Sequence, residues 1–196
     1  MKQQSEIDSI RPLAQHLARF FAGIPNVGRF RIPASPDKTI DILTTRHEDG
    51  VSYLGTLGCS LVPNGKNGPM ARGKKPIRIE LVTAVNEEYE DAIVEALGNL
   101  RLALDVADGG FSPGSLVQDV LPDGFPMKHA YLCDPFLWDE GLPSKNMGDY
   151  FVAFLYLLPI SDKERAAALK TTPKKFEEAL AKKNVQYFDL NRVSAF

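Results

Sequence analysis

Cysteine is nearly absent from this chain of 196 residues. Cys59 and Cys133 stand far apart in sequence. Two such residues exclude a disulfide framework, and no Cys-x-x-Cys pair offers a metal or redox site. Two buried free thiols in a reducing compartment are expected, a single bridge being the alternative. Histidine is also scarce. His16, His47 and His129 share no metal-ligand spacing, and His47-Glu48-Asp49 reads as a solvated turn. An excess of one charge is missing as well: 23 Lys and Arg stand against 25 Asp and Glu, a net charge of −2. General binding to a phosphate backbone would need a basic surplus. Long apolar runs are lacking. The longest, Tyr150 to Leu158, is closed by Asp149 and Pro159, whereas a membrane span needs about 18 such residues. The N-terminus, MKQQSEIDSIRP, has no signal-peptide core. A cytoplasmic protein that neither crosses a membrane nor binds nucleic acid is the expectation. Catalytic signatures are absent too: no Gly-x-Ser-x-Gly elbow, no His-Glu-x-x-His, and no dinucleotide fingerprint after a strand.

What is present is an ordinary folding composition, 44% hydrophobic and 24% charged. Ile7, Ile10, Leu13, Leu17 and Phe21 recur at helical spacing, so Ser5 to Phe21 is read as a helix with Asp8 or Ser9 as cap and Pro12 in its first turn. Strands are expected at Arg29 to Pro33, Thr39 to Thr44, Val51 to Val62 (bulged at Gly55 and Gly58) and Ile77 to Thr83. In the last of these, Ile77, Ile79 and Leu81 form one face and Arg78, Glu80 and Val82 the other. Glu87 to Val106 is the strongest helical pattern, with Asn86 as its cap. Short strands are expected within Leu116 to Val120 and His129 to Cys133. Tyr150 to Leu158 has the length and composition of a central strand buried on both faces. Ser161-Asp-Lys-Glu164 is a capping box, and Thr172-Pro173 opens a further helix. Tyr187 to Leu190 is expected to close the sheet.

Few segments carry a chemical signal. Gly68 to Lys74 matches most of a phosphate-binding loop, but Lys75 stands where Ser or Thr is needed, and a strand follows instead of a helix. The segment reads better as a basic loop. Its Lys74 and Lys75 could steer an acidic partner, or simply protect strand edges. In Asp134-Pro-Phe-Leu-Trp-Asp-Glu140 the only tryptophan, Trp138, lies among acids. Trp138 with Asp139 and Glu140 suits a partner-binding surface; the alternative is that Phe136 and Trp138 fasten a loop to the core while the acids stay in water.

The C-terminal third carries a resemblance. Phe151-Val-Ala-Phe-Leu-Tyr-Leu-Leu-Pro159-Ile160 leads into Ser161-Asp-Lys-Glu164. Phe176 and Leu180 follow, then Phe188-Asp-Leu190-Asn-Arg192-Val-Ser194. Together with Ile79-Glu80-Leu81-Val82-Thr83-Ala84, this order resembles the suppressor of fused domain, over about residues 5 to 196. The resemblance implies an α+β fold, one domain over residues 1–196, with a mixed and largely antiparallel central sheet flanked by helices. It implies a protein without enzymatic activity or cofactor. The family's eukaryotic member, a negative regulator in Hedgehog signalling, holds a transcription factor's motif as an added strand between two domains. Bacterial single-domain relatives include immunity proteins against toxins. From the residues alone, Arg192 is expected to pair with a carboxylate and anchor the tail.

The function expected is that of a non-catalytic protein-binding domain, an immunity-type or regulatory protein whose partner is another protein, a toxin or a regulatory target. Contact is placed on Trp138, Asp139 and Glu140, or on Lys74 and Lys75. No catalytic or metal-binding residue is assigned. The rival reading is a hydrolase using a carboxylate pair that leaves no local motif.

Overall fold

The computed structural model describes residues 2–65, 75–138 and 141–196, with side chains from residue 9 onward. Among these residues eight strands form one mixed sheet: β1 (Asn26–Ile32), β2 (Ser35–Arg46), β3 (Val51–Leu57), β4 (Ile77–Asn86), β5 (Leu116–Val117), β6 (Met127–Cys133), β7 (Lys145–Asn146) and β8 (Phe151–Ser161). The spatial order is β1-β2-β3-β4-β8-β6-β5, with β7 also on β8. Only the β4–β8 pair is parallel, in the register Ile77↔Phe151 to Val82↔Tyr156. Four helices accompany the sheet: α1 (Lys2–Leu17), α2 (Glu90–Val106), α3 (Asp162–Ala168) and α4 (Pro173–Lys182).

Strand periodicity divides the buried residues into two cores. Leu155 and Leu157 of β8 join Ile79 and Leu81 of β4 in the core that takes Ile93, Leu97, Leu100 and Leu104 of α2. Val152, Phe154, Tyr156, Leu158 and Ile160 point the other way, toward Leu13 and Leu17 of α1 and Phe176 and Leu180 of α4. Strand β8 is therefore buried on both faces, as its continuous apolar run predicts. α1 lies close on β3 because Gly55 has no side chain: a Cβ there would stand 2.7 Å from Leu17 Cδ1. Both cysteines are free and buried. No described helix is long and apolar enough to cross a membrane.

Several boundaries differ from the sequence reading. α1 starts before Ser5 and carries Pro12 in its interior, not in its first turn. β3 stops at Leu57 instead of reaching Val62, because Gly58 turns left-handed (φ 114°) and starts a 3₁₀ turn at Cys59. The Asn86 side chain makes no capping bond; a 3₁₀ turn over Glu87–Tyr89 leads into α2 instead. β8 runs through Pro159 to Ser161. The β4 pairing ends at Tyr156, so a residue without an N–H beyond that point takes nothing from that ladder. Tyr187 to Leu190 forms turns and not a strand.

The capping box appears as read. Glu164 N–H donates to Ser161 Oγ at 3.2 Å, and Ser161 N–H to Glu164 Oε2 at 3.0 Å. Arg192 joins it from the tail, donating to Glu164 Oε1 at 2.5 Å and Oε2 at 2.8 Å, and to Pro159 O at 3.0 Å. Ala195 N–H donates to Glu164 Oε1 at 2.9 Å. Glu164 is fully buried and Arg192 nearly so. The fork–fork geometry of guanidinium and carboxylate thus fastens the last residues beneath α3.

Candidate protein-binding surface

Of the residues singled out in the sequence, Lys74, Asp139 and Glu140 lie outside the described residues, as does the Gly68 to Lys74 loop. Lys75 is described. Its ammonium donates to Gly148 O at 2.5 Å and sits 5.7 Å from the centroid of the Phe151 ring. Trp138 is half-buried and turned inward. Its indole N–H donates to Phe20 O at 2.9 Å, and its ring stacks on Phe21 at 5.4 Å, tilted against Tyr53 at 6.2 Å. Trp138 therefore fastens the segment after β6 to the C-terminal end of α1. Aromatic rings with a polar tip behave this way where one edge finds an acceptor.

The exposed aromatic of this stretch is Phe136, 46% exposed. Its ring rests on Tyr156 at 4.8 Å and Tyr187 at 5.2 Å. Here the segment and α4 leave a groove of about 380 Å³ between them, lined by Cys133, Asp134, Phe136, Leu158, Glu177, Glu178, Leu180, Ala181 and Tyr187. Leu158 comes from the central strand, and Leu180 from the apolar stripe of α4. Glu177 and Glu178 stand beside that stripe. Glu177 accepts from the Tyr131 hydroxyl at 2.7 Å. Burial pushes the Cys133 thiol well above its usual range, and the charges of Glu177 and Asp134 push it the same way. It is neutral, so the base of the groove is apolar and lies in a negative field. The described lining side chains comprise three carboxylates and neither lysine nor arginine.

A second polar constellation was not expected from the sequence. Glu80, which alternation sets on the face of its strand opposite Ile79 and Leu81, is fully buried. The turn after β3 wraps around it. Gly58 and Ser60 N–H donate to Oε1 at 2.8 and 3.0 Å, and Cys59 N–H to Oε2 at 3.2 Å. The hydroxyls of Ser60 and Thr56 add donors at 2.7 and 2.6 Å. Successive N–H groups at such a turn make a concave nest for an anion. Burial lifts the Glu80 carboxyl above its usual range, and these donors oppose the lift without reversing it. The one signal in the sequence was a lone acid between Ile79 and Leu81. Glu80 and Glu164, the two fully buried carboxylates among the described residues, are thus enclosed by the chain's own donors. Among the described residues no group of three or more His, Cys, Asp or Glu is placed to hold a metal ion.

The pattern of the suppressor of fused protein family matches residues 36–193. The chain is similar to the immunity protein YqcF of Bacillus subtilis (strain 168), at 28% identity over 189 residues, covering 93% of this chain and 94% of that protein. Among solved structures, a putative SUFU homolog from Neisseria gonorrhoeae FA 1090 superimposes with a TM-score of 0.63 at 16% identity, over 97% of this chain and 98% of that one. Suppressor of fused in the Sufu-Fu complex gives a TM-score of 0.65 at 11% identity, over 96% and 92%. At these identities the likeness is one of fold, the mixed, largely antiparallel sheet with flanking helices. With the family pattern running through most of its length, the chain belongs to the suppressor of fused family.

Proposed function

We propose that this chain is a cytoplasmic immunity-type or regulatory protein, working as one domain, that acts by covering a functional surface of a toxin or regulatory protein without turning over a substrate. The observation that carries this reading is the similarity to a protein named for immunity, which extends over nearly the full length of both chains. The complex of the structural relative with Fu supports the same mode, protein binding protein.

The contact surface we assign is the acidic, aromatic stretch from Asp134 to Glu140, with Asp139 and Glu140 as contacts, Phe136 as its exposed aromatic, and Trp138 offering only the part of its ring not packed on Phe20 and Phe21. Interfaces favour aromatic anchors over lysine, and the Lys75 ammonium already has partners within the chain. That leaves the Lys74 and Lys75 surface second. Tagged chain incubated with native lysate is expected to retain one protein stoichiometrically and to suppress that protein's activity on titration. Reversing Asp139→Lys and Glu140→Lys together is expected to weaken capture about tenfold, as for a charged rim. Unchanged affinity rejects this surface. Turnover of a small metabolite by the purified chain, lost in Glu80→Gln, overturns the non-catalytic reading.

A further inference from the structure

We propose that the groove between α4 and the Cys133–Phe136 segment takes up a short basic segment of a protein partner, seating aliphatic side chains on its floor and lysine or arginine heads on its acidic rim. The proposal rests on the reading that the chain works by binding a protein; it goes further in naming the site and the chemistry of what enters it.

Three observations converge on this occupant. First, the floor is apolar and built from rigid elements. Leu158 belongs to the central strand and Leu180 to the buried face of α4, while Phe136 leaves nearly half its surface uncovered. At about 380 Å³ the groove falls within the range of sites that hold side chains or small ligands, about 300–1,000 Å³. Second, the rim is of one sign. Asp134, Glu177 and Glu178 are all exposed, and no described lining residue is basic. Third, Glu177 is held in place from below by the buried Tyr131 hydroxyl, so one of the three charges is set in position before a ligand arrives. Lysine and arginine fit both features at once: their methylene stems lie along apolar surface while the charged heads remain at a wet edge. An acidic segment would meet three like charges. A purely apolar segment would leave the rim unused.

The probe is a fluorescein-labelled peptide, GRLKLKG, titrated into the full chain at low ionic strength, with GELELEG as its charge-reversed counterpart. Anisotropy reads the affinity, and methyl NMR of Leu158 and Leu180 reads the place. GRLKLKG is expected to bind, shift both methyl signals and weaken about tenfold when Asp134→Asn and Glu178→Gln are combined, two exposed changes that leave the Tyr131–Glu177 bond intact. Ala181→Trp, which fills the groove from the exposed side of α4, is expected to weaken binding at least as much. If Ala181→Trp fails to fold, the rim pair decides alone. The proposal falls if GRLKLKG does not bind, if the neutralised rim binds it equally, if GELELEG binds as well, or if the shifts lie elsewhere. Partner capture that survives a folded Ala181→Trp defeats the groove and leaves the protein-binding reading standing. GRLKLKG bound in the groove with no protein captured does the reverse.

Discussion

Among the described residues two carboxylates, Glu80 and Glu164, are removed from water, and the chain stabilises them by different means. Glu80 sits among neutral donors: three backbone N–H groups and two hydroxyls. Glu164 receives two backbone N–H groups and a guanidinium. Burial pushes both carboxyls up. At Glu164 the Arg192 charge, together with the Ala195 and Ser161 N–H groups, outweighs burial, and the carboxyl lies below its usual range. At Glu80 five dipoles do not, and it lies above. Hydrogen bonds satisfy the lone pairs in each case; only a full opposite charge reverses the sign of the shift.

The largest effect should come from unbalancing the charged pair. Arg192→Ala leaves Glu164 buried without its counter-charge and is expected to cost about 3–5 kcal/mol by denaturant unfolding. A loss under about 1 kcal/mol would mean the tail contributes little and the two sites are alike. Next comes Glu80→Gln. The amide keeps one acceptor but turns an N–H₂ toward fixed N–H donors, for an expected loss of about 1–3 kcal/mol. No partner charge is stranded there, so the loss should be smaller than at Arg192.

Acid titration separates the two sites by sign. Glu164, lowered in the folded state, contributes stability that is present above its unfolded pKa and is lost as pH falls through the folded value. Glu80, raised, does the opposite: the folded chain takes up a proton before the unfolded one does, so its contribution grows as pH falls through the raised value. Unfolding midpoints measured from pH 7 down to pH 3 should therefore fall more steeply in Glu80→Gln than in wild type, and less steeply in Glu164→Gln. Each proton linked to unfolding changes the slope by at most about 1.4 kcal/mol per pH unit. Identical slopes in the two variants would remove the contrast. The smallest effect is Ser161→Ala, which deletes the capping hydroxyl while leaving the ion pair, at about 1 kcal/mol. A loss near that of Arg192→Ala would show that the cap and the tail act as one unit.

Legibility in the sequence follows the range of the forces. Ser161 and Glu164 bond within one turn, and the capping box was readable from their spacing. The β8 run was readable because burial on both faces removes alternation. Arg192 was expected to find a carboxylate, and the family's terminal pattern drew attention to it, but its partner is a matter of tertiary packing. Alternation put Glu80 on the face opposite Ile79 and Leu81, and the two cores keep that division; its burial was not legible, because its donors come from residues 20 to 24 positions earlier in the chain. Asn86 looked like a cap by residue type, yet the 3₁₀ turn at Glu87 left that role unused. In the acidic stretch, sequence located the aromatics without showing which faces inward. The groove takes residues from β6, β8, α4 and the tail, so no local window contained it.

The order of synthesis adds one more consequence. The strand at the middle of the sheet, β8, is the last to be made. Until residue 161 has left the ribosome, β4 on one flank and β6 on the other have unsatisfied ladders, and no strand pairing joins the first half of the sheet to the second. Contacts of such wide separation slow folding and lengthen the time that bare strand margins face other chains. A nascent chain halted before β8 would present those margins to its neighbours, so the step most exposed to chaperones and to self-association is the insertion of this final strand.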